Sequence, residues 1–144
     1  MANPGKVVLL IEDNPSNMRL FSDLLQAHGY HVVQAMTGDS GWHMARELCP
    51  DLILLDIQLP DISGLDLIGW LKADEKLRSV PVVALTAFAM NGDRQMILEK
   101  GFDAYVSKPI SIPNFMDVVR SSLDMRYARP VEKAVSAQRV MTKS

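Results

Sequence analysis

Five side chains that could do chemistry stand at the ends of short apolar runs in this sequence. Glu12 and Asp13 follow the first such run, Asp56 and Thr86 end two others, and Lys108 follows a fourth. In an open parallel α/β sheet, the carboxyl ends of the strands meet at one edge, where ligands bind. If these runs are strands of one such sheet, three carboxylates, one hydroxyl and one ammonium group converge there.

The three acidic residues predict a metal site. Clustered carboxylates repel one another unless a cation lies between them. A donor set of oxygens without His or Cys suits a hard cation, and Mg²⁺ most naturally. We therefore expect Glu12, Asp13 and Asp56 to bind a Mg²⁺ ion that keeps several of its waters.

A bound cation would let the same edge accept a phosphoryl group. Asp56 could then act as a nucleophile and form an aspartyl phosphate. Lys108 would offer a point charge to a phosphoryl oxygen, and Thr86 would offer a hydroxyl donor. Phosphoryl transfer asks a protein for little beyond such positioning and charge stabilisation.

Other site chemistries do not fit the sequence. The first loop reads Glu-Asp-Asn-Pro-Ser-Asn over residues 12–17, and its carboxylates and proline would repel a bare phosphate. No P-loop and no dinucleotide-binding fingerprint occurs in the chain. The single cysteine, Cys49, excludes an internal disulfide and has no CxxC partner for zinc, so we expect it to be a small buried hydrophobe. We expect Asp61, Asp66 and Asp74 to be solvated loop or surface residues.

The elements that must position the site residues alternate along the chain. Short apolar runs typical of strands alternate with amphipathic stretches that have clear capping signals, such as Asn14-Pro15 before the first helix and Gly29 after it. The predicted strands are Val7–Ile11, His31–Ala35, Leu52–Asp56, Val82–Thr86 and Ala104–Ser107. Later helices are predicted over Gly38–Leu48, from Ser63-Gly64, over Asn91–Lys100 and over Pro113–Met125. This alternation predicts a doubly wound α/β fold with a five-stranded parallel sheet.

Length and charge indicate one domain and a short tail. The chain has 144 residues; residues 1–125 carry a net charge of −6 and residues 126–144 carry +4. We expect residues 1–125 to form the domain and the basic tail to be disordered. The acidic body argues against nucleic-acid binding. No apolar run approaches the roughly 18 residues of a membrane span, and no signal peptide is evident, so we expect a cytoplasmic protein.

The segments around the candidate residues resemble the response-regulator receiver domain. They read LLIEDNPSNMRLF, PDLILLDIQLPDISGLDLI, VPVVALTAFAM and AYVSKPIS, in that order, within about residues 6–125. DIQLPDISGLD, ALTAFAM and YVSKPIS are also similar to DivK-type single-domain cell-cycle regulators of alphaproteobacteria. The resemblance implies a flavodoxin-like fold with strand order 2-1-3-4-5.

The same resemblance implies which residues hold the metal and the phosphoryl group. Asp56 would be the phosphoacceptor, and Thr86 with Lys108 would bind the phosphoryl group. Asp13 would bind Mg²⁺ directly, whereas Glu12 would act largely through water. The backbone carbonyl of Gln58 would be the other protein ligand.

Further roles implied by the resemblance concern switching. Tyr105 would be the switch aromatic, which turns inward when Thr86 moves toward the phosphoryl group. The Lys108-Pro109 peptide bond would be cis, in a tight turn at the site. Gln58 and Phe88 would tune self-dephosphorylation.

The leading hypothesis is a phosphorylation-switched binding protein in cell-division or polarity control. Histidine kinases or kinase-phosphatases would act on it, and a protein partner would bind the face of helix 4, strand 5 and helix 5. We expect no direct DNA binding, because the roughly 19 residues after helix 5 are too few for a DNA-binding output domain. The lack of a long apolar run predicts no membrane insertion. One alternative is a Mg²⁺-dependent phosphohydrolase with Asp56 as nucleophile, although the usual second acid is replaced by Gln58. Another is a scaffold that has the fold but acts independently of phosphorylation.

Overall fold

The computed structural model describes residues 5–87 and 91–125, in which strands and helices alternate. The strands are β1 (Val7–Ile11), β2 (His31–Ala35), β3 (Leu52–Asp56), β4 (Val82–Thr86) and β5 (Ala104–Ser107). The helices are α1 (Pro15–Ala27), α2 (Gly38–Leu48), α3 (Gly64–Ala73), α4 (Asn91–Glu99) and α5 (residues 112–125). The strand bounds agree with the prediction. The predictions for Phe88 and for residues 126–144 lie outside the described residues.

The five strands form one parallel sheet in the order β2-β1-β3-β4-β5. The predicted fold class and strand order are therefore confirmed. β1 and β3 are neighbours although β2 lies between them in sequence, so the strand order reverses at β1. In open α/β sheets, the crevice for a ligand lies at the carboxyl ends of the strands beside such a reversal.

Two apolar layers hold the helices against the sheet. On one face, α2, α3 and α4 cover side chains such as Ile53 and Ala84. On the other face, α1 and α5 cover the alternate side chains, and Phe21 stacks on Phe115 with the ring centroids 5.2 Å apart. Every residue of β3 and β4 is buried, as expected for central strands covered on both faces.

Short capped connections bind the helices to the carboxyl edge of the sheet. The side chains of Asn14, Thr37 and Ser63 accept hydrogen bonds from backbone N–H groups in the first turns of α1, α2 and α3. These caps satisfy donors that have no partner within a helix, and they start each helix within a few residues of a strand end. None of the helices in the described ranges has the length and apolar character required to cross a membrane.

The prediction that Cys49 is buried was wrong. Cys49 ends α2 in the left-handed conformation, with φ 46°, and is exposed. This position lies beyond the last helical turn, so the side chain does not continue the buried stripe that includes Ala45.

Two glycines of α3 should respond oppositely to alanine. A Cβ on Gly64 would lie 2.7 Å from the Asp56 carbonyl oxygen and 2.8 Å from Ile57 Cα, whereas a Cβ on Gly69 would meet nothing within 4 Å. We expect Gly64→Ala to lower the free energy of unfolding by about 1–3 kcal/mol, because backbone atoms cannot rotate away from the clash. Gly69→Ala should raise it by about 0.5–1 kcal/mol through helix propensity. Urea denaturation measures both; a neutral Gly64→Ala would contradict the close approach.

Candidate functional site

The acidic residues of the first loop and the end of β3 lie together at the carboxyl edge of the sheet. Glu12, Asp13 and Asp56 each offer a carboxylate oxygen, and these oxygens lie within 4.8 Å of one another. They line a cavity of about 440 Å³, together with Asn14, Pro15, Asn17, Gln58 and Lys108. The structure thus brings together residues that are up to 96 positions apart in sequence.

Glu12 is fully buried at the end of β1. Its Oε2 accepts a hydrogen bond from the backbone N–H of Asn14 at 3.1 Å. Its Oε1 is buried without a well-aligned hydrogen bond, but lies 2.8 Å from the ammonium group of Lys108. Burial raises the pKa of Glu12; the contact with Lys108 opposes this rise, and neighbouring Asp56 adds to it.

Asp56 ends β3 with only 3% of its surface exposed. Its Oδ1 accepts a hydrogen bond from the backbone N–H of Gln58 at 2.9 Å, and its Oδ2 accepts one from Lys108 Nζ at 2.9 Å. Asp13 is half-buried beside it. The residue two positions after Asp56 is Gln58, which is not an acid, and its side chain is exposed.

Lys108 joins the two buried carboxylates. Its backbone N–H donates to the carbonyl of Thr86 at 2.8 Å, which fixes the turn after β5 against the end of β4, and the Lys108-Pro109 bond is cis as expected. Burial alone would lower the pKa of Lys108, but the contacts with Glu12 and Asp56 outweigh it and raise the pKa above 10.5. Lys108 therefore stays charged at neutral pH, and its contribution to stability is lost only as the pH rises through that raised value.

Thr86 and Tyr105 lie on the same side of the sheet. Tyr105 pairs in register with Ala84, and Thr86 is two residues beyond Ala84, so strand alternation directs both side chains toward the face that α4 covers. Thr86 is buried and Tyr105 is half-buried. The guanidinium carbon of Arg94, on α4, lies 5.2 Å from the centroid of the Tyr105 ring.

Asp61 has partners that the sequence did not reveal. It remains exposed, but its carboxylate accepts hydrogen bonds from the backbone N–H groups of Gly38 and Asp39, at 2.8 and 2.9 Å. These donors lower the pKa of Asp61, Asp39 more than Gly38. No local signal could have identified this contact, because the partners lie 23 and 22 residues away in sequence.

The donor set fits a hard divalent cation. Glu12, Asp13 and Asp56 bring three carboxylates to the cavity, and Lys108 brings one ammonium, so the ionised cluster carries a charge of −2. One divalent cation would balance that charge. The buried Glu12 Oε1, which lacks an aligned donor, offers a further acceptor to metal-bound water. Oxygen-only ligands of this kind match Mg²⁺.

The sequence matches the family described as the response regulator receiver domain over residues 8–120. The chain belongs to this family. Over 118 residues it is 52% identical to the protein named polar-differentiation response regulator DivK of Brucella ovis, covering 82% of this chain and 96% of that protein. The same identity and coverage hold for its counterpart in Brucella suis.

Solved receiver structures have the same fold. The receiver domain of the sensor histidine kinase PA1611 from Pseudomonas aeruginosa is 32% identical, with a TM-score of 0.77 over 83% of this chain and 98% of that one. That structure holds a magnesium ion coordinated in its active-site cleft. A response regulator from Chloroflexus aurantiacus superposes with a TM-score of 0.80 at 22% identity, covering 83% of this chain and 98% of that one. The latter match concerns the fold alone.

Removing the central ammonium should change the ionisation of Glu12. We expect Lys108→Met to raise the pKa of Glu12 further, because the contact that opposes the effect of burial is lost. A carboxyl group whose pKa is raised stabilises the fold only below that value, so the variant should lose stability as the pH rises from 4.5 through the new pKa. NMR titration of the Glu12 carboxyl carbon measures the shift.

Lys72→Met is the matched control for this titration. Lys72 also forms a partly buried ion pair, at 3.0 Å from Asp103, but at the opposite edge of the sheet. The Lys72→Met substitution should therefore leave the pKa of Glu12 unchanged. An unchanged pKa in Lys108→Met as well would contradict the inferred electrostatic role of Lys108.

Proposed function

We propose that this protein accepts a phosphoryl group on Asp56 from a histidine kinase and thereby switches its binding to a protein partner. The observation that carries the proposal is the setting of the Asp56 carboxylate. It lines a cavity, 2.9 Å from the Lys108 ammonium and beside Glu12 and Asp13. A carboxylate that lies between an acidic cluster suited to a cation and an ammonium group is placed to form an acyl phosphate.

In the proposed transfer, an oxygen of Asp56 attacks phosphorus. The O–P bond forms as the N–P bond of the phosphohistidine breaks, and the imidazole nitrogen leaves with the electron pair. Lys108, which stays charged, moves from the carboxylates to a phosphoryl oxygen, and the Thr86 hydroxyl donates to another. Lys108 and Thr86 thus act as hydrogen-bond donors to the phosphorylated Asp56, and neither serves as a base.

Asp13, Asp56 and the Gln58 carbonyl would hold a Mg²⁺ ion, with Glu12 acting through water. When bound, the ion supplies positive charge against the phosphoryl oxygens, which would otherwise be repelled by the acidic cluster. The charge of −2 on the ionised cluster supports this assignment. The magnesium ion in the cleft of the PA1611 receiver domain supports it as well.

The switch in this proposal runs from Thr86 to the face made by α4, β5 and α5. Movement of Thr86 toward the phosphoryl group vacates space on the side of the sheet where Tyr105 lies. The Tyr105 ring then turns inward, and its stacking with Arg94 changes the surface of α4. The output is a change in affinity for a protein partner, and the protein needs no enzymatic activity beyond its own phosphorylation and slow dephosphorylation.

The similarity to DivK proteins supports a single-domain regulator of cell division or polarity. The match covers 96% of the Brucella ovis protein, so that relative has little length outside a receiver domain. We propose that residues 1–125 form the receiver domain and residues 126–144 a basic extension. Histidine kinases, including kinase-phosphatases, and a protein output partner are the proposed partners, without direct DNA binding.

Replacing the phosphoacceptor should abolish labelling. With acetyl phosphate and Mg²⁺, wild-type protein should acquire one hydroxylamine-labile phosphoryl group, and Asp56→Asn should acquire none because an amide is not a nucleophile here. Intact-protein mass spectrometry measures the added mass. Asp66→Asn, an exposed carboxylate on α3, is the control and should label normally. Labelling of Asp56→Asn would overturn the proposal.

Occupying the site should alter the Tyr105 face. Beryllofluoride with Mg²⁺ should shift the NMR signals of the Tyr105 ring and of α4 in wild type, but not in Asp56→Asn. If the NMR signals of wild type do not shift, and its binding to a partner is the same with and without phosphate and Mg²⁺, the protein acts as a scaffold instead. Rapid multiple turnover of a small phosphate ester would indicate a phosphohydrolase.

A further inference from the structure

The connection between β3 and α3 is attached to a second helix. Asp61 lies in the segment of residues 57–63, and its Oδ1 and Oδ2 accept hydrogen bonds from the first two N–H groups of α2, those of Gly38 and Asp39. The two donor–acceptor distances are 2.8 and 2.9 Å. One carboxylate thus spans two elements that are more than twenty residues apart in sequence.

The start of α2 has two sets of hydrogen-bond acceptors, and Asp61 is one of them. Its own cap, Thr37, accepts from the N–H of Ser40 through Oγ1 and from the N–H of Gly41 through its carbonyl. The N–H groups of Gly38 and Asp39 are served by Asp61 instead. A carboxylate at the positive end of a helix also gains from the helix dipole.

Packing provides a second, independent observation of the same attachment. A Cβ on Gly38 would overlap Cγ2 of Ile62 and would lie 3.3 Å from Oδ1 of Asp61. The connection therefore sits against the α2 backbone so closely that only glycine leaves room for it.

The rest of the connection is held at the site. The N–H of Gly64 donates to the carbonyl of Ile57 at 2.8 Å, and the N–H of Gln58 donates to Asp56 Oδ1 at 2.9 Å. Gln58 thus lies in a short segment that is attached to Asp56 and Gly64 at its base and to α2 at Asp61.

We propose that Asp61 is a positioning residue for the metal: by fastening this connection to α2, it sets the direction of the Gln58 backbone carbonyl. The inference rests on the proposed function, in which that carbonyl is a Mg²⁺ ligand. Groups that orient metal ligands without touching the metal commonly change affinity by about 10–100-fold when they are removed. Asp61 acts at a distance of three residues along a backbone, so we expect a loss near the lower figure.

The test compares Asp61→Ala, Asp61→Asn and Asp66→Ala with wild type. Amide hydrogen exchange, measured by NMR without metal, should accelerate at Gly38 and Asp39 in Asp61→Ala. The dissociation constant for Mg²⁺, measured by calorimetry, should rise about 10-fold. Asp61→Asn keeps one acceptor oxygen, so its exchange rates and its Mg²⁺ dissociation constant should lie between those of wild type and those of Asp61→Ala. Asp66→Ala removes the same charge from an exposed site on α3 and should match wild type in both measurements.

A merely structural cap would give a different result. Faster exchange at Gly38 and Asp39 with an unchanged Mg²⁺ dissociation constant would overturn the positioning role. If Asp61→Ala does not fold, Gly38→Ala displaces Ile62 from the other side without changing charge, and it should also weaken Mg²⁺ binding.

Failure of the proposed function has a separate signature. Wild-type protein that binds Mg²⁺ but is not phosphorylated by acetyl phosphate contradicts phosphorylation at Asp56, and the Asp61 variants still decide the positioning role through Mg²⁺ affinity. Wild-type protein that binds no Mg²⁺ overturns the positioning role itself.

Discussion

Mutual repulsion among buried carboxylates is the constraint around which this molecule is arranged. Glu12 has no exposed surface and Asp56 has almost none, yet their oxygens lie close together with those of Asp13. Removing such charges from water costs several kcal/mol per ion, and the attraction to one ammonium does not fully offset it. The raised pKa of Glu12 is the local sign of that cost. Because the cluster keeps an excess of negative charge, it is suited to bind a divalent cation.

The scaffold keeps these charges together through apolar packing and backbone hydrogen bonds. β3 and β4 are completely buried, and helices cover both faces of the sheet, so the strand ends cannot move apart to relieve the repulsion. Capping side chains then begin the helices directly beyond the site. The stability of the hydrophobic layers thereby supports a locally unfavourable charge arrangement, as is common at functional sites.

Two connections link the site to separate surfaces of the molecule. The segment after β3 is attached to α2 through Asp61, and the residues after β4 and β5 are joined through the Thr86 carbonyl and the Lys108 N–H. The second connection lies next to Tyr105, which carries the stacked Arg94 of α4. The two helices cover the same face of the sheet, but the contacts that reach them differ in chemistry: charge-assisted hydrogen bonds at α2 and aromatic packing at α4.

The amino-acid sequence by itself determined the strand bounds, the fold class and the residue types at the strand ends. Apolar runs such as Val82–Thr86 and caps such as Asn14 are local signals, because burial on both faces and unsatisfied helix donors depend on neighbouring residues. The convergence of Glu12, Asp56 and Lys108 could also be predicted from the sequence, because the carboxyl ends of parallel strands lie at one edge of the sheet.

Tertiary structure alone decided the distances and partners. That Lys108 bridges Glu12 and Asp56 depends on how strands from distant parts of the chain align. The exposure of Cys49 depends on the backbone angle at the end of a helix, and the hydrogen bonds of Asp61 depend on a helix more than twenty residues away. Sequence patterns report the preferences of a residue and its neighbours, whereas contacts across the fold arise only when packing brings separate segments to within a few ångströms.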